Sequence, residues 1–154
     1  MLTLKSLQSL VLALALSADQ SAIAAEPAAL LDPEKAFRLF AGALDERSVE
    51  IGFHIAEGYY MYRDRFRFES ESGKAITGAR LPAGKIKQDP FFGRTEIYRR
   101  QVRIRIPLSA EHTAKRRVKL KVTSQGCSDQ GVCYIPQEQW VEVMLDAGAS
   151  QRTP

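Results

Sequence analysis

From residue 48 to residue 145 apolar and polar positions alternate with a period of two in one short run after another, and no helical period is sustained. Val49, Ile51, Phe53 and Ile55 alternate with polar or small residues over 48–55, which predicts a half-buried strand with His54 on its exposed side. Glu57-Gly58 breaks that run, and residues 59–68 read as a second strand, rich in aromatics. Its parity puts Tyr60, Tyr62, Phe66 and Phe68 on one face, as core or site, and Arg63, Arg65 and Arg67 on the other. Residues 76–81 read as a short edge strand between two turns, 95–106 and 117–124 as the next strands, and 139–145 as the last, with Val141, Val143 and Leu145 on one face. Ahead of all these, Asp32-Pro33-Glu34 has the N-cap, proline and acid of a short helical turn leading into Ala36-Phe37. Seven or so strands separated by turns predict an all-β fold, an antiparallel β-sandwich.

One stretch does not fit this scheme. In Asp89-Pro90-Phe91-Phe92-Gly93 two adjacent aromatics stand between a proline and a glycine, and adjacent residues of an extended chain face opposite ways. At least one of Phe91 and Phe92 is therefore expected at the surface, as part of a lid or a docking surface.

Length and the chain's ends set the context. At 154 residues the chain makes one domain, with enough core to hold without a disulfide. Residues 1–25 read as a secretory signal: Lys5 near the start, an apolar run from Leu7 to Leu16 too short to span a bilayer, and Ala22-Ile23-Ala24 at the cleavage site. This predicts an exported protein whose domain covers 26–147, followed by a disordered tail at 148–154.

The net charge of +4 comes largely from Arg94, Arg99, Arg100, Arg103, Arg105 and from residues 115–121. Because Arg103 and Arg105 alternate with Val102, Ile104 and Ile106, and Lys119 and Lys121 with Val118, Leu120 and Val122, these charges read as wet sheet faces. With no aromatics interleaved among them, nucleic-acid binding is not expected.

The chemistry rests on Cys127 and Cys133, the only cysteines. Export places them where disulfides persist. Five residues separate them, and one extended strand would hold the sulfurs roughly 20 Å apart, so the segment must fold back, with Asp129-Gln130-Gly131 as its turn. A static staple is the commoner role for an exported pair, although so small a loop constrains little chain entropy, on the order of 2–3 kcal/mol. Metal binding has little to draw on, since the two histidines, His54 and His112, are remote in sequence. Spacing alone leaves staple and redox couple both open.

Gln125-Gly126-Cys127, Gly131-Val132-Cys133-Tyr134 and Pro136, preceded by Gly58-Tyr59-Tyr60-Met61-Tyr62-Arg63 and by the run from Phe91 to Arg99, together resemble the N-terminal periplasmic domain of the thiol:disulfide interchange protein DsbD, over about residues 32–145. The resemblance implies an immunoglobulin-like sandwich whose cysteine pair cycles between dithiol and disulfide without a cofactor or metal. It implies thioredoxin-like periplasmic proteins as electron donor and acceptors. It also implies roles: Cys133 forms the mixed disulfide with partners, Cys127 resolves it, Phe91 of a cap loop that also holds Phe92 shields the pair, Tyr60 and Tyr62 line the site, and Asp89 stands beside it. Two departures accompany it. Pro90 stands where the family commonly has a second acid, and no transmembrane or thioredoxin-like domain follows, so electrons are expected from separate proteins, a membrane conductor among them. The expectation is a periplasmic protein-disulfide reductase module; the rival is a binding module with the same fold and a static disulfide.

Overall fold

The computed structural model describes residues 29–114 and 116–145. The expected signal and tail lie outside these. Ten strands are formed among the described residues: β1 (Phe37–Asp45), β2 (Ser48–Ile55), β3 (Tyr59–Tyr62), β4 (Arg67–Ser70), β5 (Lys85–Asp89), β6 (Gly93–Tyr98), β7 (Gln101–Pro107), β8 (Arg117–Ser124), β9 (Gly126–Ser128) and β10 (Gln137–Met144). They build three antiparallel sheets, ordered β1-β2-β7, β10-β8-β4 and β5-β6-β3-β9. The fold is the expected antiparallel, immunoglobulin-like β-sandwich. Two single-turn helices, α1 (Pro33–Ala36) and α2 (Ala110–Thr113), complete it, and among the described residues no helix is long and apolar enough to cross a membrane.

Alternation explains the core. Val49, Ile51 and Phe53 of β2, Val102, Ile104 and Ile106 of β7, and Val118, Leu120 and Val122 of β8 all point inward and meet Met61, Phe66, Phe68, Tyr98 and Val143 in one apolar cluster. Their polar neighbours point out and pair across strands: Arg103 with Glu50 at 2.5 Å, Arg105 with Asp45 at 2.6 Å and Lys121 with Glu69 at 2.8 Å. His54 faces outward and packs against Phe40, the two rings tilted by 37°.

Three strand assignments change. Residues 59–68 do not form one strand, because a turn of 3-10 helix at Arg63–Arg65 carries the chain from the β5-β6-β3-β9 sheet to the β10-β8-β4 sheet. Tyr60 and Tyr62 therefore part from Phe66 and Phe68, which share their parity but lie in the main core. Residues 95–106 break in the same way, at Arg99-Arg100, where Arg100 adopts a left-handed φ of 65° that ends β6 and redirects the chain into β7. Residues 76–81 form no strand and contribute one bridge, Arg80 to Arg105.

Two strands were not anticipated. β1 has alanines at two of its inward positions and a glycine at Gly42, which gives little β signal, and it is fixed by pairing with β2 along nearly its whole length. β5 is a charged edge strand whose single buried residue is Asp89.

Candidate redox site

The cysteine segment folds back as expected. β9 pairs with β3 so that Cys127 sits opposite Tyr60 and Gly126 opposite Met61. The chain then turns, with Gly131 at a left-handed φ of 83° and its N–H donating to the Ser128 carbonyl. It returns through bonds from Ser128 N–H to the Val132 carbonyl (2.8 Å) and from Tyr134 N–H to the Gly126 carbonyl (3.0 Å). Cys127 and Cys133 face each other across this hairpin with Cα atoms 4.0 Å apart and are disulfide-bonded. Gly126 permits the close approach: a Cβ there would stand 2.5 Å from the Phe37 ring and 2.6 Å from the Tyr60 carbonyl.

The two sulfurs are not equivalent. Cys127 is fully buried, at 0 % exposure, whereas Cys133 is partly open to solvent. Cys127 belongs to a small cluster with Tyr60, Tyr62 and Ile97, separate from the main core. β3 is buried on both faces, Tyr59 and Met61 toward the main core and Tyr60 and Tyr62 toward the cysteines.

The Tyr62 hydroxyl lies 3.0 Å from Cys127 Sγ and 3.7 Å from Cys133 Sγ. Disulfide sulfurs carry no hydrogen, so the phenol is the donor. Burial first, then the neighbouring Tyr60 and Asp89, push the Tyr62 phenol far above its ordinary range, so it keeps its proton. Tyr60 packs edge-on against Tyr62, with ring centroids 5.4 Å apart, and its hydroxyl donates to Asp89 Oδ2 at 2.8 Å.

Asp89 joins this network to the loop that follows it. Its Oδ1 accepts the backbone N–H groups of Phe91 (2.9 Å) and Phe92 (3.2 Å), fixing the turn between β5 and β6, and Lys87 Nζ lies 3.3 Å from Oδ2. Burial opposes ionisation of this carboxyl, but the donors from Phe91, Tyr60 and Lys87 outweigh it and hold its pKa down at about 2. Both loop aromatics are exposed, Phe91 at 54 % and Phe92 at 40 %. The Phe92 ring packs edge-on to Tyr62 at 4.9 Å and is covered by the Arg65 guanidinium at 4.3 Å.

All seven residues singled out in the sequence thus belong to one neighbourhood. The structure adds Ile97, Lys87, Arg99 and Asp129. Lys87 Nζ and the Arg99 guanidinium lie 4.9 Å and 5.2 Å from the Tyr60 ring, and Arg99 forms an ion pair with Asp129 in the turn of the cysteine hairpin. No period or spacing links Arg99 to Asp129; the only signal was the place of Arg99 in the upstream motif. His54 packs against Phe40 and His112 bonds Ser109 at the start of α2, and no metal-ligating cluster of three or more groups forms among the described residues.

The family model described as thiol:disulfide interchange protein DsbD, N-terminal, matches residues 27–145. The chain belongs to this family. DsbD 1 of Pseudomonas aeruginosa is 40 % identical over 121 residues, 78 % of this chain and 20 % of the relative, and DsbD of Ralstonia nicotianae is 42 % identical over 127 residues, covering 80 % and 20 %. The chain therefore spans about a fifth of the length of these curated relatives. The DsbD N-terminal domain of Neisseria meningitidis in its reduced form superposes with a TM-score of 0.65 at 31 % identity, over 77 % of this chain and 92 % of that one. The same Neisseria domain in complex with the PilB N-terminal domain gives 0.61 at 32 % identity, over 73 % and 86 %.

Proposed function

We propose that this DsbD N-terminal domain is a periplasmic thiol–disulfide exchange module that passes reducing equivalents between thioredoxin-like partners through Cys127 and Cys133. The observation that carries the reading is the inequality of the two sulfurs: one buried beneath a tyrosine hydroxyl, the other open to an incoming thiolate.

The exchange proceeds in two displacements. A partner thiolate attacks Cys133 Sγ, forming a mixed disulfide as the Cys127–Cys133 bond breaks and Cys127 leaves as a thiolate. The Tyr62 hydroxyl, already within 3.0 Å, supplies a hydrogen bond to that charge in a site with little water. The partner's second thiolate then attacks its own sulfur in the mixed disulfide and releases Cys133. The partner ends oxidised and this chain holds two thiols. Run backwards against another partner's disulfide, the same steps hand the two electrons on, with Cys127 as the resolving thiolate. No cofactor is needed. The Neisseria domain was seen with the PilB N-terminal domain, and a domain of that kind would cover apolar side chains left exposed in the β5–β6 loop, Phe91 and Phe92, and beside Cys133, Val132 and Ile135.

The test is trapping. Cys127→Ser leaves Cys133 to form a mixed disulfide with a thioredoxin-like domain that cannot be resolved from this side, so a covalent adduct accumulates on non-reducing gels. Adduct only with Cys133→Ser would reverse the roles. A reduction potential below about −300 mV for the unaltered chain would instead mark a static bond in a binding module.

A further inference from the structure

The hairpin that carries the cysteines is gripped at its tip by a side chain from another part of the fold. Arg99 opens the corner between β6 and β7, where the left-handed Arg100 turns the chain. From there its guanidinium grips Asp129 with two parallel bonds, Nη1 to Oδ2 at 2.9 Å and Nη2 to Oδ1 at 2.7 Å. Nη1 also donates to the Tyr59 carbonyl of β3 at 3.3 Å, and the guanidinium lies near the Tyr60 ring. The backbone adds one tie, from Asp129 N–H to the Gly58 carbonyl at 2.7 Å.

We propose that Arg99 is a positioning residue for the redox pair: by fixing Asp129, it holds the turn between the cysteines so that Cys133 stays over Cys127 when no disulfide joins them. This rests on the exchange reading above. Cys127 is held by the pairing of β9 with β3, and beyond Cys133 the returning arm is anchored by Tyr134, whose N–H donates to the Gly126 carbonyl and whose ring packs on Phe37, but the turn between the cysteines, from Asp129 to Val132, is exposed. Once the disulfide opens, the order of the turn decides how much of the time the two sulfurs meet.

The consequence has a definite sign. The clamp and the disulfide favour the same turn conformation, so each makes the other easier to form. With the clamp, the effective concentration of one thiol at the other is higher. The disulfide is then more stable against external thiols, and Cys127 resolves a mixed disulfide on Cys133 faster. Arg99 thus governs how quickly a partner is let go without touching it. The pair is half exposed, its side chains 35 % and 46 % open, so the effect is modest.

Arg99→Gln, Asp129→Asn and the double variant test this in glutathione redox buffers, with urea unfolding of each oxidised form as the check on folding. Each single variant is expected to make the disulfide about threefold easier to reduce, about 14 mV for a two-electron couple, and the double variant no more than the larger single one. Independent point charges would behave otherwise. Losing a cation at Arg99 would make reduction harder and losing an anion at Asp129 would make it easier, and shifts of opposite sign overturn the proposal. So does the absence of any shift. Should Arg99→Gln fail to fold, Arg99→Lys keeps the charge and loses the paired geometry. It is expected to shift in the same direction as the glutamine variant, and a value equal to the parent overturns the clamp. The parent's own potential tests the exchange reading, and differences between variants test the clamp, so the two can fail separately.

Discussion

Phe91 and Phe92 show how far a single position can be read from its neighbours. Adjacent residues of an extended chain face opposite ways, which predicted at least one exposed ring, and both are exposed. The resemblance assigned the shielding to Phe91, yet Phe92 is the ring in contact with Tyr62. A lid built this way is expected to open more in Phe92→Ala than in Phe91→Ala. Reduction by dithiothreitol should speed severalfold in the first and less in the second, and unchanged stopped-flow rates in both would remove the lid. Asp89 makes a second prediction at this scale. Its folded pKa lies near 2, below its ordinary 3.8, so the stability it contributes is fully present above about pH 4 and is lost as pH falls toward 2. Thermal melts between pH 5 and pH 2 should fall more steeply for the parent than for Asp89→Asn, which has no carboxyl to protonate and is less stable throughout.

Among the elements, β3 and β9 decide the site. A strand of four residues buried on both faces gives its two parities to two different clusters, so Tyr59 and Met61 serve the core while Tyr60 and Tyr62 serve the sulfurs. β9 can lie against it because residue 126 has no side chain. Gly126→Ala places a methyl against the Phe37 ring, which is packed edge-on between Tyr59 and Tyr134, and against the Tyr60 carbonyl, which cannot yield without moving β3. The expected cost is about 1–3 kcal/mol in urea unfolding, together with a changed reduction potential as Cys127 moves off Tyr62. A variant with parental values for both would show that the strands have room to separate.

In the molecule as a whole, the main core and the site cluster are distinct groups of buried residues. Ile104, on β7 opposite Ile51 of β2, lies in the main core at 0 % exposure. Ile104→Ala is expected to cost about 2–5 kcal/mol of stability while leaving the reduction potential of the folded chain unchanged, because its contacts and those of Cys127 are not shared. A shifted potential would show that the two clusters are coupled. This separation also marks what could be read from the chain in order. Period-two alternation in β2, β7, β8 and β10 determined four strands and their inward residues, because each strand has one dry and one wet face. It failed where that condition fails. β3 is dry on both faces, β5 is nearly all wet, and β1 has small residues that any environment tolerates. Spacing determined that Cys127 and Cys133 must meet across a turn, since chain geometry allows nothing else. Only the tertiary structure decided which sulfur is the more exposed, that Phe92 packs on Tyr62 and that Arg99 holds Asp129. Those are relations between segments far apart in the chain that the β5-β6-β3-β9 sheet brings side by side, and Arg63–Arg65 and Arg99-Arg100 mark where the chain leaves that sheet for the others.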